Sequence, residues 1–343
     1  MDSLALRASN WSRRVRRRWL TAKARLRGKT FFCKALTGDS KVNLSINSDL
    51  TVSCSCHDVD GSGRIGDLKS QSLRECFSGP VARRFREDLA TGRLPIADCA
   101  RCRDLRMTGK EEARRFASEY HLPRYVMLEN TSACNLRCVS CPRARIRELR
   151  SQVSMSLEDV RKVAAELKDA GVERVAYLNF GEPFLSKAIG RELEIVRQLN
   201  PGIRIDTSTN GLLLDTDEKR DAALRMDRIQ FSLDGTDQKM AVKYQRGLDF
   251  EKAYENMKAL AAYRDARGLT KPAIVWKYLL FRWNDRKADL RRAIDLAREA
   301  CVDEILFERT VSPFYGLPLR SYLGFHNDIG EELGRMRSVA LRT

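Results

Sequence analysis

The feature that most constrains this fold is a regular alternation of short apolar runs and longer amphipathic runs from about residue 122 onward. Six runs rich in β-branched and aromatic residues are predicted strands, at 125–129, 175–179, 203–207, 229–233, 274–280 and 305–308. The predicted helices between them are 156–170, 186–199, 216–225, 249–267 and 286–300. Because strands joined by helices run parallel, we expect an α/β fold over residues 122–310, with the parallel sheet either open or rolled into a partial (β/α)6 TIM-like barrel. In such folds the chemistry lies at the carboxyl ends of the strands.

Three further segments surround the predicted barrel. Residues 1–30 are a basic helical segment, residues 31–121 a small α+β domain, and residues 311–343 a tail with a last helix near 328–340. In the small domain, alternation around Val42 and Val52 predicts a hairpin, and Leu73 to Leu89 is helical with a break at Gly79-Pro80. This domain has too little apolar core to be stable without added cross-links.

Charge and hydropathy exclude some classes of protein. The 343 residues carry a net charge of +17 and are 43% apolar, which is typical of a globular protein. No run approaches the ~18 apolar residues that a membrane-spanning helix needs. Residues 1–30 hold ten basic residues and one acidic residue, so about half of the net charge is in this segment and the basicity does not characterise the barrel.

The basic segment also has an apolar periodicity. Trp11, Val15, Trp19, Ala22 and Leu26 recur at helical spacing and fall on one face. We expect this helix to dock on its own domain; the second interpretation is contact with a membrane surface, a nucleic acid or an acidic partner.

The ten cysteines indicate metal chemistry. No apolar stretch of the signal-peptide type follows the basic start, so we expect a cytoplasmic protein with reduced thiols. Cys134, Cys138 and Cys141 follow the first predicted strand in the spacing C-x3-C-x2-C. Thiolates suit zinc or iron–sulfur clusters, and a closed zinc site needs a fourth ligand. Three close cysteines leave one metal position open, as a catalytic cluster requires.

This loop resembles the cluster loop of radical SAM enzymes. The resemblance implies that the three cysteines hold a [4Fe–4S] cluster whose fourth iron binds S-adenosylmethionine, and that an external donor of flavodoxin or ferredoxin type supplies the electron. Three turns at successive strand ends extend the resemblance to the binding of S-adenosylmethionine. The residues that it assigns to this cofactor are Asn179, Gly181, Glu182, Pro183, Ser208, Thr209, Asn210, Ser232 and Asp234. Phe180 and Ser140 depart from the family pattern.

Residues 31–121 resemble the SPASM or twitch extension of radical SAM enzymes, although that module usually follows the barrel. The resemblance implies one auxiliary [4Fe–4S] cluster, with ligands drawn from Cys33, Cys54, Cys56, Cys99 and Cys102. Cys54 and Cys56 compete for one position, and a structural zinc in the same thiolates is the competing interpretation. We expect Cys76 and Cys301 to be packing residues.

The leading hypothesis is a radical dehydrogenation of a small polar substrate, such as a sugar or aminocyclitol, with the auxiliary cluster accepting an electron. Redox-neutral epimerisation and peptide modification are rivals, and a zinc-stabilised basic nucleic-acid-binding protein is a more remote possibility. The candidate substrate contacts are polar residues near the strand ends: Glu129, Tyr177, Lys277, Arg282, Asn284, Glu308 and Arg309.

Overall fold

The computed structural model describes residues 3–41 and 43–323, with side chains described from Val15 onward. The predicted tail helix near 328–340 and Val42 of the predicted hairpin lie outside these residues. The chain divides into two units. The first comprises Met1–Glu129, Ala144–Asn179 and Val196–Ile203, and the second comprises Asn130–Arg143, Phe180–Ile195 and Arg204–Thr343.

The strands of the described residues are β1 (Lys29–Cys33), β2 (Ser45–Ile46), β3 (Thr51–Ser53), β4 (Arg64–Asp67), β5 (Leu105–Gly109), β6 (Tyr125–Leu128), β7 (Arg174–Ala176), β8 (Arg204–Thr209), β9 (Arg228–Ser232), β10 (Ala273–Leu280) and β11 (Glu304–Arg309). The helices are α1 (Ser3–Leu26), α2 (Lys34–Thr37), α3 (Leu73–Ser78), α4 (Pro80–Ala90), α5 (Lys110–Ser118), α6 (Arg143–Leu149), α7 (Leu157–Asp169), α8 (Ile189–Leu199), α9 (Asp217–Leu224), α10 (Gln238–Ala241), α11 (Phe250–Asp265), α12 (Lys287–Glu299) and α13 (Leu319–Tyr322).

In the first unit, β1 pairs with β5 and the remaining strands lie in the order β7-β6-β2-β3-β4. The predicted hairpin is confirmed, since β2 and β3 pair antiparallel with Ile46 opposite Val52. The same β2 also runs parallel to β6, with Ser45 opposite Met127. The unit therefore does not follow the predicted boundary at residue 121, because the hairpin and the first barrel strand share one sheet.

Two local helix signals of the first unit act where the sequence predicts them. Ser156 caps α7 and accepts a hydrogen bond from the backbone N–H of Asp159, whose side chain returns the contact. The predicted break at Gly79-Pro80 separates α3 from α4, with proline at the first position of α4.

In the second unit, four parallel strands lie in the order β11-β10-β9-β8. Their core contains the buried aromatic side chains of Trp276, Tyr278 and Phe231. The register places Lys277 of β10 opposite Ser232 of β9, so polar residues of neighbouring strands meet near the carboxyl ends.

All six predicted barrel strands and all five predicted helices between them are present, so the α/β class with parallel strands is confirmed. The strand predicted at 175–179 is shorter, because the chain leaves β7 after Ala176 to enter the following turn. Among the residues that the structure describes, no helix has the length and apolarity needed to span a bilayer.

Candidate functional site

The loop with three cysteines is held by backbone hydrogen bonds to a neighbouring loop of the second unit. The N–H of Arg137 donates to the carbonyl of Arg246, and that of Val139 donates to the carbonyl of Tyr244, both at 2.9 Å. The guanidinium of Arg143 donates to the Cys134 carbonyl at 3.0 Å. The loop that carries Cys134, Cys138 and Cys141 is thus anchored on both sides of its turn.

The three thiols of this loop are half-buried. Burial raises the pKa of Cys138 to about 12 and raises the pKa of Cys134 and Cys141. Three thiolates are therefore costly in this loop until a metal supplies positive charge.

The turn after β7 is pressed against the cysteine loop. A Cβ at Gly181 would lie 1.9 Å from the Thr131 carbonyl oxygen, so only glycine fits. The next backbone N–H, of Glu182, donates to the Ala133 carbonyl at 2.7 Å. Pro183 then starts a short 3-10 turn, Pro183–Leu185.

The side chain of Glu182 connects two of the predicted cofactor turns. Its carboxylate accepts hydrogen bonds at 2.8 Å from the Thr209 hydroxyl and from the Asn210 backbone N–H. Asn210 in turn donates from its side chain to Asn135 of the cysteine loop at 2.7 Å. Burial raises the pKa of Glu182 to about 7, despite these donors.

Asp234 lies in the turn after β9. Its carboxylate accepts the Leu279 backbone N–H at 2.8 Å, and its own N–H donates to Gln245 at 2.8 Å. Burial raises the pKa of Asp234 to about 7. The hydroxyls of Ser208 and Ser232 lie 3.0 Å apart on the neighbouring strands β8 and β9. The structure thus brings Glu182, Thr209, Asn210, Ser208, Ser232 and Asp234 together in the second unit.

Asn179 has a different environment. It belongs to the first unit, where its amide donates to the Ser45 hydroxyl of β2 at 3.2 Å. In this structure Asn179 is therefore hydrogen-bonded to a strand of the hairpin, and its assignment to the cofactor stays a prediction.

Four cysteines of the first unit line one pocket. Cys33, Cys54, Cys99 and Cys102 surround an atom-free space of about 370 Å³, including its open mouth, with apolar side chains such as Phe85 completing the wall. Burial raises the pKa of Cys54, and raises that of Cys99 to about 11. As in the three-cysteine loop, burial disfavours the ionised thiolates, so a metal bound by these residues would have to offset that cost.

Cys102 is surrounded by hydrogen-bond donors. A hydrogen bond from the Cys33 thiol lowers the pKa of Cys102 to about 7. The Asp104 backbone N–H donates to the Cys102 sulfur at 3.5 Å, and the Asn43 amide donates to it at 3.6 Å. Sequence reasoning missed both donors. Asn43 reaches the sulfur from a distant part of the chain, and Asp104 donates a backbone N–H, which no residue type marks.

The structure distinguishes Cys54 from Cys56. Cys54 lines the pocket, whereas the Cys56 thiol donates to the Asn43 side-chain oxygen at 3.2 Å. Cys76 is fully buried, as expected for a packing residue. Cys301 is exposed with a positive φ of 51°, so the expectation that it packs in the core was wrong.

Three of the predicted substrate contacts are buried. Glu129 is 0% exposed, and it accepts a hydrogen bond from Arg150 at 2.8 Å. Tyr177 is also fully buried, and Asn284 is engaged by the carbonyls of Asp234 and Leu279. Glu129, Tyr177 and Asn284 are thus packed inside their own units, and their assignment to substrate stays a prediction. Arg150, which sequence reasoning missed, completes a buried ion pair.

The remaining substrate candidates lie at strand ends of the second unit. Lys277 forms an ion pair with Glu308 at 3.2 Å, and both side chains keep accessible surface. Arg309 has its guanidinium 5.1 Å from the centre of the Tyr322 ring. Arg282 follows β10 and donates its backbone N–H to the Gly316 carbonyl at 3.0 Å.

Comparison with known proteins agrees with this arrangement. Residues 129–270 match the model of the radical SAM superfamily. The chain is 33% identical over 138 residues to a GTP 3',8-cyclase of Peptoclostridium acidaminophilum, covering 39% of this chain and 41% of that protein. It is 30% identical over 183 residues to a GTP 3',8-cyclase of Marinobacter nauticus, covering 52% of each. The chain thus spans roughly two fifths to one half of the length of these curated relatives.

A solved structure supports the fold. The structure of Streptococcus suis SuiB bound to S-adenosylmethionine superposes with a TM-score of 0.50 at 11% identity, covering 91% of this chain and 70% of that one. At this identity the likeness concerns the fold alone. The three-cysteine loop and the turns after β7, β8 and β9 lie within the matched residues, so residues 129–270 form a radical SAM superfamily domain, a fold that implies S-adenosylmethionine and a [4Fe–4S] cluster.

Proposed function

We propose that this chain is a radical SAM enzyme that dehydrogenates a small polar substrate of the sugar or aminocyclitol type. The observation that carries the proposal is the pocket in the first unit lined by Cys33, Cys54, Cys99 and Cys102. Four thiolates satisfy every iron of a [4Fe–4S] cluster. A cluster closed in this way suits electron transfer rather than substrate binding, and dehydrogenation releases one electron after the hydrogen atom and a proton have left.

The residues of the second unit have separate roles in this proposal. Cys134, Cys138 and Cys141 hold a cluster with one open iron. Glu182 holds the ammonium of the methionine group, because a buried carboxylate attracts a cation strongly. Asn210, Ser232 and Asp234 bind the remaining polar groups of the cofactor. When bound, the cluster and S-adenosylmethionine supply a 5′-deoxyadenosyl radical that abstracts hydrogen.

Lys277, Glu308 and Arg309 are the accessible candidates for substrate contact that this proposal uses. Lys277 and Glu308 carry opposite charges 3.2 Å apart, an arrangement that suits a substrate with hydroxyl or amino groups. Arg309 adds a cation at the end of β11. In this proposal the electron that reduces the first cluster comes from an external flavodoxin- or ferredoxin-type donor in the cytoplasm.

The cyclase relatives support a second candidate substrate, a purine nucleotide. Their similarity to this chain covers about two fifths to one half of their own length. A triphosphate needs a concentration of positive charge, and Glu308 neutralises Lys277 here. For this reason we place the nucleotide second.

Epimerisation, peptide modification and nucleic-acid binding have less support. A cysteine-dependent epimerase needs a thiol at the carboxyl ends of the strands, but Cys301 precedes β11 at its amino end and Cys76 is buried. Peptide modification has no specific observation in its favour. A zinc-stabilised nucleic-acid-binding protein does not account for the match of residues 129–270 to the radical SAM superfamily model.

Anaerobic reconstitution followed by turnover with dithionite tests the proposal. We expect about eight irons per chain for two [4Fe–4S] clusters, and formation of 5′-deoxyadenosine. A variant with Cys134, Cys138 and Cys141 all changed to alanine is the matched control and should form none. Deuterated polyols and GTP, offered in parallel, show whose hydrogen enters 5′-deoxyadenosine. Zinc in place of iron, or no 5′-deoxyadenosine above the control, would contradict the proposal.

A further inference from the structure

The first helix docks on the first unit through one face. The Arg17 guanidinium donates to the Leu94 carbonyl at 2.6 Å, and the Ala24 side chain is 1% exposed. Helix docking on the chain's own domain is therefore confirmed. The face that docks, however, is not the apolar face that the periodicity identified.

The apolar face of α1 points away from the unit. Trp19 is 56% exposed, Leu26 is 89% exposed, and Val15 and Ala22 are exposed as well. These four residues are separated by four, three and four positions, so they form one stripe along the helix. In the sequence, Trp11 continues the spacing. A stripe that contains Trp and Leu is costly to leave in water, which indicates that something covers it.

The charges beside this stripe are all positive. Helical geometry places Arg16 and Lys23 on one side of the stripe, and Arg18 and Arg25 on the opposite side. The Lys23 ammonium lies 4.6 Å from the centre of the Trp19 ring, so its alkyl chain already extends along the apolar surface. No acidic residue occurs anywhere in Ser3–Leu26.

This combination favours a lipid surface over a nucleic acid. A nucleic acid would satisfy the arginines, but it gives no reason for an outward apolar stripe between them. A helix of 24 residues is ~36 Å long at 1.5 Å per residue. When such a helix lies flat, its apolar stripe can enter the acyl boundary while arginines and lysines on both flanks reach phosphate headgroups. Tryptophan is enriched at the same depth of a bilayer.

We propose that α1 attaches this protein peripherally to an anionic phospholipid surface, with Val15, Trp19, Ala22 and Leu26 inserted and the flanking cations on the headgroups. The docked face, held by Arg17 and Ala24, keeps the stripe outward while the rest of the chain remains in water. This inference is independent of the proposed reaction.

Vesicle sedimentation of the full, cluster-loaded chain tests it. With vesicles of phosphatidylcholine and phosphatidylglycerol at 3:1, we expect at least about tenfold tighter binding than with phosphatidylcholine alone, weakening as salt rises from 0.1 to 0.5 M. The double variant Trp19→Ser/Leu26→Ser should lower the affinity at least about tenfold. The charge variant Arg18→Glu/Arg25→Glu should abolish the preference for phosphatidylglycerol. Each substitution is at an exposed position, and iron content per chain reports whether the fold is kept.

Leu269→Ser is the matched control, because Leu269 is an exposed leucine outside α1, and it should bind like the parent chain. Equal binding to both kinds of vesicle, or unchanged binding by Trp19→Ser/Leu26→Ser, would overturn the proposal. The proposal would also be overturned if the chain self-associates without binding vesicles and Trp19→Ser/Leu26→Ser abolishes that self-association. Salt-sensitive binding to poly-uridylate without vesicle binding would instead point to a nucleic acid and also overturn it.

Discussion

The buried carboxylate of Glu182 accepts the hydroxyl hydrogen of Thr209 at 2.8 Å, and so joins the turn after β7 to the end of β8. The same carboxylate accepts the Asn210 backbone N–H, and the Glu182 backbone N–H is bonded to the cysteine loop. Glu182 therefore joins its own turn to two other loops, one through its side chain and one through its backbone. The charge of the Glu182 carboxylate should therefore affect how tightly these turns bind a cation.

The pH dependence of cofactor affinity follows from this burial. The pKa of Glu182 is raised to about 7, so the carboxyl is ionised above pH 7 and neutral below it. The nearby Lys219 ammonium acts in the opposite direction and lowers this pKa. If Glu182 holds the ammonium of S-adenosylmethionine as proposed, affinity must fall as the pH falls. We expect the Kd to rise up to about tenfold between pH 8 and pH 6. Anaerobic equilibrium dialysis measures it, and a Kd that is flat over this range would refute the role.

The turn before Glu182 should not tolerate a side chain. In Gly181→Ala the new Cβ would collide with the Thr131 carbonyl oxygen, and backbone atoms cannot rotate away. We expect a loss of stability of about 2 kcal/mol or more, together with loss of S-adenosylmethionine binding. Gly202→Ala is the control, because nothing lies within 4 Å of its Cβ position. Urea unfolding of both variants measures the loss of stability. Equal unfolding midpoints would show that the close approach of Gly181 to the Thr131 carbonyl does not exclude a side chain.

The ion pair between Glu129 and Arg150 should be structural. Both side chains are nearly inaccessible, so Glu129→Gln leaves a buried guanidinium without its charge partner. Loss of one partner of a buried pair costs about 3–5 kcal/mol. The exposed pair of Arg124 and Glu173 provides a comparison, and Glu173→Gln should change stability by less than about 0.5 kcal/mol. Chemical denaturation measures both; a stable Glu129→Gln variant with a raised KM would instead support Glu129 as a substrate contact.

The two neighbouring cysteines of the first unit should behave differently. Cys54 lines the pocket with Cys33, Cys99 and Cys102, while Cys56 is hydrogen-bonded to Asn43. On the proposed function, Cys54→Ala should lose about four of about eight irons after reconstitution, whereas Cys56→Ala should keep them. Iron and sulfide analysis with Mössbauer spectroscopy reads this out. If Cys56→Ala loses iron and Cys54→Ala keeps it, Cys56 is the ligand instead of Cys54. Full iron in both variants would contradict the proposed auxiliary cluster.

Much of the architecture was predictable from local pattern. Strand and helix periodicity located all six barrel strands and the helices between them, because each repeat depends only on residues a few positions apart. The spacing of Cys134, Cys138 and Cys141, and the position of each turn after a strand, likewise indicated the cofactor site. The Ser156 cap and the Gly79-Pro80 break were local signals of the same kind.

The sequence by itself therefore determined the elements, their order and the sulfur ligands that are available. Only the tertiary structure decided that Glu129 is paired with Arg150, that Cys54 rather than Cys56 faces the pocket, and that the apolar stripe of α1 points outward. These outcomes depend on contacts between residues far apart in the chain, such as Arg17 with Leu94 and β2 with β6. Side-chain periodicity shows which residues share a face of an element, but the packing of distant segments decides which face is covered.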